Sequence, residues 1–582
     1  MNTTDQAYAR IVQLNDERTA TSMAKQVKDP ESRFDGGVFD DTVGIAQANH
    51  VSTVSDLISW ISSYVNPDSA HYHSIEVAER INRAVAFLLR RQHKDGTISL
   101  GSTNYHSPPD TAFIIVGLLQ VHPLMKKDET SAIRPVCEGI ETFLRRAVPA
   151  MRIGGCHTPN HRWVMTAALG GLHQLFPEEE GLVERAEEWL AEGLDFTEDG
   201  EFSERSNGIY NAVNDIMLYY AALYLNRPEL LEPVRRNLNM MVYLTHPNGE
   251  VVTDYSGRQD FGNKATFVNY FLIYRLMAVK DGNGLFASMS DEAAKAMTHP
   301  GSSENQAMAG LLMYPDTQYL NVPRQPLPEQ YEVMLNEHHP YKEQREQLKR
   351  VGHHGIVQHS AVHSAYGHPV GRYRDGKESA TLMAAAPSFF SLRYGAARLL
   401  AVKWSTAMTP GIVAMDSLKK EAGSYHMKAT LEKGYNGPLP THARGKDSTW
   451  SLMPHQLRPL THVQTHEVQV DIEHMENGWE FNLKAGEPED VFTQITFLFS
   501  AEGELKGNGL QQTTNPQQFL WKNGDVTYES GQDRMILSGA AQDHTVELIR
   551  TDAHPLDCLA ISINLLTPFE HRIRLTLEER KE

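Results

Sequence analysis

Cysteine is nearly absent. Cys137, Cys156 and Cys558 are scattered through 582 residues with no Cys-x-x-Cys spacing, which argues against a disulfide framework and a thiolate zinc site. Runs of Lys and Arg are missing too, and the net charge is -19, so the chain has no electrostatic footprint for nucleic acid or an anionic membrane. Neither is expected as a partner, and a polyanionic ligand would need a local basic pocket. No apolar run is long enough to cross a bilayer: "AFIIVGLLQV" at 112–121 is too short and follows the helix-starting "SPPD", so it reads as a core helix. The opening "MNTTDQAYARIVQLNDERTATS" lacks a basic leader and an apolar segment, and a cytoplasmic location is expected from it. No strict short repeat is evident. With 41% hydrophobic and 22% charged residues, the composition is that of a folded globular protein of two or more domains.

The hydrophobic period then changes along the chain. From about residue 50 to about 315, segment after segment is helical in pattern with short Gly, Pro and Asn punctuation, among them "VSDLISWISSYV", "HRWVMTAALGGLHQLF" and "GIYNAVNDIMLYYAALYL". Some are amphipathic and others apolar nearly all round, which suggests buried inner helices backed by an outer layer. Beyond about 350, stretches such as "HEVQVDIEH", "VFTQITFLFS" and "RIRLTLEE" alternate or carry β-rich apolar runs between turns, as antiparallel strands do. The expected fold class is multidomain α+β. Residues 1–315 form an (α/α) toroid, the Pro- and charge-rich 316–350 a linker with a short helix, and 351–582 an antiparallel β-sandwich.

Two helix starts are crowded with polar residues. In "GGCHTPNHRWVMTAALGG", Thr158 is a suitable N-cap and Pro159 suits the first helical position, so Asn160, His161, Arg162 and Trp163 fall in a first turn, where free N–H groups favour an anion. In "DGEFSERSNGIYNAV", Asn207-Gly208 precedes a helix that begins near Tyr210. If the two helices run parallel in one inner layer, His161 and Tyr210 meet at a single mouth; otherwise Tyr210 packs with Val213, Met217, Tyr220 and Tyr224. Asn104, Tyr105, His106 and Asp110 precede the apolar helix at 112 and could contact sugar hydroxyls, or serve as loop and cap. In "DYSGRQDFG", Tyr255 could stack on a sugar ring and Arg258 could clamp a carboxylate beside Gln259 and Asp260, or Arg258 and Asp260 could form a plain ion pair.

Asn160-His161 at a helix start, together with the "DGEFSERSNGIY" segment ending in Tyr210, resembles polysaccharide lyases of the heparinase II/III and oligoalginate lyase type. The resemblance implies an (α/α) toroid followed by an antiparallel β-sandwich, and β-elimination at a uronic acid within an oligosaccharide or polysaccharide. It implies that Asn160, with Arg162 and the helix N-terminus, holds the substrate carboxylate. His161 would act as base or charge neutraliser, and Tyr210 would protonate the leaving oxygen. Trp163 and Asn207 would join the substrate-binding set. Family members bring a histidine of the second domain to the cleft. In "VGHHGIVQHSAVHSAYGHPVG" that role falls to His354 or His359, but the stretch departs from a His-Gly-His-x-Asp pattern, and neither metal nor cofactor is expected. A homo-oligomer is compatible with the sequence. Two other readings stay open: a glycoside hydrolase of the unsaturated-uronyl type, with acid and base drawn from Asp110, Asp199, Glu204, Asp254 and Asp260, and a noncatalytic carbohydrate-binding protein.

Overall fold

The structure is a computed structural model that describes residues 3–128, 130–348, 362–446, 449–555 and 557–580. The chain divides into two compact units: Met1–Thr245, Gly249–Pro328 and Pro340–Tyr366 in the first, and His246–Asn248, Glu329–His339 and Gly367–Glu582 in the second.

In the first unit, helices alternate between two layers in chain order. The outer members are α1 (Thr3–Ala24), α3 (Ile75–Arg91), α5 (Arg134–Ile153), α7 (Leu182–Ala191), α9 (Leu231–Tyr243) and α11 (Gly284–Ala296). The inner members are α2 (Thr53–Val65), α4 (Pro108–Asp128), α6 (Pro159–Leu175), α8 (Tyr210–Tyr224), α10 (Phe271–Asp281) and α12 (Ala307–Met313). Each inner helix packs on the next, and α12 packs back on α2, so the inner layer closes into a ring. Sequence pattern sorts the layers. On α3 a stripe of Val77, Ile81, Ala84, Val85 and Leu88 is buried while Glu76, Glu79 and Arg90 face water. On α4 nearly every residue from Pro109 to Met125 is buried, as a helix enclosed by neighbours requires.

The ring is tight enough to need glycine. A Cβ on Gly117 of α4 would lie 2.6 Å from Ile58 Cδ1 on α2 and 2.7 Å from the carbonyl oxygen of Ser303. Gly117→Ala is expected to lower the unfolding free energy by about 1–3 kcal/mol through overpacking, as read by denaturant unfolding. An unchanged midpoint would mean that the ring yields at this point.

The second unit is a β-sandwich. Among the described residues, an eight-stranded sheet runs in the order 504–506, 526–530, 533–538, 569–579, 478–485, 460–475, 424–436, 417–421. A ten-stranded sheet runs 510–512, 518–521, 558–566, 492–500, 397–406, 390–394, 378–383, 370–375, 330–335, with 411–412 paired to 397–406. Pairing is antiparallel except between 518–521 and 558–566. One core joins the two inner faces, with Phe390, Trp404 and Phe497 from the larger sheet and Trp479, Phe481 and Ile573 from the smaller. The strand Gln330–Leu335 lies inside the segment read from sequence as a linker. Proline and charge mask it there, and as an edge strand it buries little of its surface. The short helix expected in that segment is α13 (Tyr341–Leu348).

Candidate active site

The N-terminal ends of the inner helices gather at one mouth of the ring, around a cleft of about 610 Å³. His50 and Val51 line it from just before α2, Asp110 and Phe113 from α4, His157, Thr158 and His161 from α6, and Tyr210 and Val213 from α8. Asn269, just before α10, and Ser302, Glu304 and Asn305, just before α12, complete the wall, with Arg258 and Gln259 entering from the loop after α9. Partial positive charge from several helix ends therefore faces the same space, a setting that favours a bound anion. His161 and Tyr210, 49 residues apart, share this mouth, so the parallel arrangement of α6 and α8 holds.

The loop before α8 is set by buried polar contacts. Arg205, in the left-handed region at φ 49°, is fully buried. Its Nε reaches Glu201 at 3.2 Å, an Nη donates to the Ala365 carbonyl at 2.6 Å, and the guanidinium lies over the Tyr255 ring. Gly257 donates its N–H to the Arg205 carbonyl, and a Cβ there would lie 2.7 Å from the Glu204 carbonyl oxygen, so only glycine allows this approach. The next residue, Arg258, is thereby laid over the Tyr210 ring at 4.3 Å with an Nη 2.7 Å from Glu204 Oε2.

Glu204 is the hub. Its other oxygen accepts from the backbone N–H and the side-chain amide of Asn160, both at 2.8 Å. The carboxylate thus caps the first turn of α6 from 44 residues away, while the Thr158 side chain makes no capping bond to the backbone. Burial pushes the Glu204 carboxyl pKa up, against the pull of Arg258 and Asn160.

The protonation states in the cleft are well separated. Burial, with His157, Arg258 and His50 nearby, lowers the His161 pKa to about 3, so the imidazole is neutral. Among the described residues its Nδ1 meets no hydrogen-bond partner, and its ring stands edge-on to His157 and Phe113. Burial raises the Tyr210 phenol pKa despite Arg258 beside it, keeping the hydroxyl protonated, and Gln259 Nε2 donates to that oxygen at 2.6 Å. His50 stacks on Phe113 with its Nδ1 3.6 Å from Asp110 Oδ1. Asp110 also accepts from Asn104 at 2.9 Å and from Ser107.

Of the residues singled out from sequence, His161, Tyr210, Arg258, Gln259, Asn104 and Asp110 line the cleft. The others lie elsewhere. Asn160 is fully buried and its amide N–H groups are taken by Glu204 and Thr158. Arg162 turns to Asp195 and Glu192, and Trp163 beneath it is core. Tyr105 is exposed and donates to the Gly101 carbonyl, while His106 bonds Asp95 and stacks on His93. Asn207 is buried against Val252 and Asn211, and Tyr255 lies under Arg205 and not in the cleft, so it offers no face for a sugar ring. Asp260 makes no pair with Arg258. It accepts from Ser206, Ser256 and the Gly208 N–H and so staples the loop. His354 and His359 lie outside the described residues. Sequence reading missed His50, His157, Asn269, Glu304 and Asn305. Their signal was position: each stands just before or at an inner helix start.

No family model and no curated protein matches this chain. Among solved structures, it is similar to a heparinase III at a TM-score of 0.50 and 8% identity, over 90% of this chain and 78% of that one. It is also similar to heparan sulfate lyase HepC from Pedobacter heparinus, at a TM-score of 0.49 and 8% identity over 98% and 84% of the two chains. The likeness to heparinase III is one of fold: a helical toroid followed by an antiparallel β-sandwich. Among the described residues, no helix is long and apolar enough to cross a membrane.

Proposed function

We propose that the chain is a polysaccharide lyase that cleaves the bond at C4 of a uronic acid by β-elimination, leaving a C4=C5 double bond. One observation carries the reading: a neutral imidazole, a protonated phenol and a guanidinium face one cleft at the positive ends of the inner helices. The C5 proton of a uronate is too weakly acidic to leave while its carboxylate is fully charged. Arg258 and the helix ends would neutralise that carboxylate and stabilise the developing enolate charge. His161, already unprotonated, would take the C5 proton. As the C4–O4 bond breaks, Tyr210 would give its proton to the departing oxygen. Glu204 and Asn160 would position Arg258 and the first turn of α6 without touching the sugar.

The test is the reaction itself. Uronate-containing glycans mixed with the protein should gain ultraviolet absorbance from the new double bond, with products carrying that unsaturation by mass. Hydrolysis would release reducing sugar without the chromophore, and simple binding would produce neither; either result across such a panel removes the proposal.

The pKa directions also fix a pH profile. With His161 neutral above about pH 3 and Tyr210 protonated past its ordinary value, neither group changes state across the neutral range. We expect kcat/KM to be flat between about pH 5 and 8 as far as these groups decide it. A base with the ordinary histidine value near 6.5 would instead lose about tenfold by pH 5.5, and such a fall would remove His161 as the buried base.

A further inference from the structure

The strands 424–436 and 460–475 pair along their whole length, yet the sheet accompanies them only part of the way. Strand 417–421 pairs with 424–428, and strand 478–485 pairs with 468–475. Beyond those points, among the described residues, 431–436 and 460–465 pair as strands only with each other. Residues 460–465 are exposed without a break, and of the facing strand Leu431 still packs on the sandwich core while Glu432, Lys433, Tyr435 and Asn436 are exposed, so the outer part of this ribbon is bare on both faces. Two strands alone are marginally stable in water, and one with bare faces and two free edges is unusual in a finished surface.

The ribbon and the segment that joins its strands are also apolar. Tyr435, Trp450, Leu452, Leu457, Leu460 and Val463 are between 47% and 68% exposed, a concentration of large apolar side chains within 29 residues. Isolated exposed apolar residues need no explanation, but a contiguous group marks an interaction surface. Aliphatic Leu and Val point to a protein partner over a sugar chain, which would be met by stacking rings and hydrogen bonds. The charge identifies that partner. Within 431–465 the basic residues Lys433, Arg444, Lys446 and Arg458 outnumber the acidic Glu432 and Asp447, whereas the chain as a whole stands at -19. A basic apolar arm on a strongly acidic body is complementary to another copy of that body.

We propose that the ribbon and the described residues of its connecting segment, 437–446 and 449–459, form a dimerisation arm by which each copy grips the acidic surface of a second copy. Because the same arm occurs on both chains, the exchange is reciprocal and closes as a two-fold dimer. The proposal is independent of the reaction assigned to the cleft.

Light scattering coupled to gel filtration tests it on the full chain. At concentrations up to about 50 µM the expected mass is twice 65.4 kDa. The triple variant Trp450→Glu, Leu452→Glu, Leu460→Glu is expected to run at 65.4 kDa with an unchanged far-ultraviolet circular dichroism spectrum, since these side chains rest largely in solvent within one copy. Raising salt from about 0.05 to 0.5 M is expected to weaken the wild-type dimer by at least about tenfold in Kd, as the charge component is screened. A wild-type chain that stays at 65.4 kDa overturns the proposal. So does a triple variant that still dimerises, which would place the interface elsewhere, and so does an arm whose only partner proves to be an anionic glycan.

Discussion

Tyr210→Phe is expected to lower kcat for elimination by about a thousandfold while leaving the protein folded. The hydroxyl accepts one hydrogen bond, from Gln259 at a site open to solvent, so its removal strands no buried donor. The ring stays, and with it the face over which Arg258 lies at 4.3 Å, so the carboxylate-binding guanidinium keeps its place. Stability should change by less than about 0.5 kcal/mol and KM little. Steady-state assay of the unsaturated product, beside a thermal melt, reads both quantities. A variant with more than about a tenth of wild-type kcat would show that another group protonates the leaving oxygen.

Glu204→Ala should fail in the opposite way, through structure. The carboxylate is completely buried and is the acceptor for the Asn160 N–H, the Asn160 amide and Arg258. Taking it away leaves two buried donors without a partner and a guanidinium only 19% exposed without its counter-ion. The unfolding free energy is expected to fall by about 3–5 kcal/mol, measured by denaturant unfolding. Glu204→Gln keeps an acceptor for Asn160 but turns an amide toward Arg258, and should fall between the alanine variant and wild type. A loss below about 1 kcal/mol for the alanine variant would mean that water enters and replaces the carboxylate.

Much of this was legible in the sequence because it follows from periodicity. The apolar runs of α2, α4 and α8 announce buried helices, and the alternation after residue 350 announces strands. Helix α1 was not legible. Its inward side is partly polar: Asn15 bonds the Ser59 carbonyl and Ser63, Thr19 bonds Ser63, and Ser22 accepts from the Trp60 indole. The apolar stripe of Tyr8, Ile11 and Val12 is therefore cut short after one turn, where a helix docked by hydrogen bonds to serines takes over.

The site divides along the same line. Tyr210 and His161 could be placed because helix starts have local signals. The partner of Arg258 could not, because Asp260, two residues away, is the obvious choice on spacing and Glu204, 54 residues back, is the actual one. Tyr255 looked like a sugar platform and Trp163 like a substrate-binding residue, while burial, which sequence does not display at a single position, makes both core.

Closure of the two helical layers ties together stretches made far apart in time. Asn15 on α1 accepts from Gln306 at the start of α12, 291 residues later, and Arg10 reaches the Met297 carbonyl across 287. During synthesis, the early helices must therefore wait for most of the first unit before meeting these last neighbours. The ring is completed by its most distant contacts, which makes assembly slow and leaves the opening segment, until then, an apolar and hydrogen-bonding surface in need of shielding.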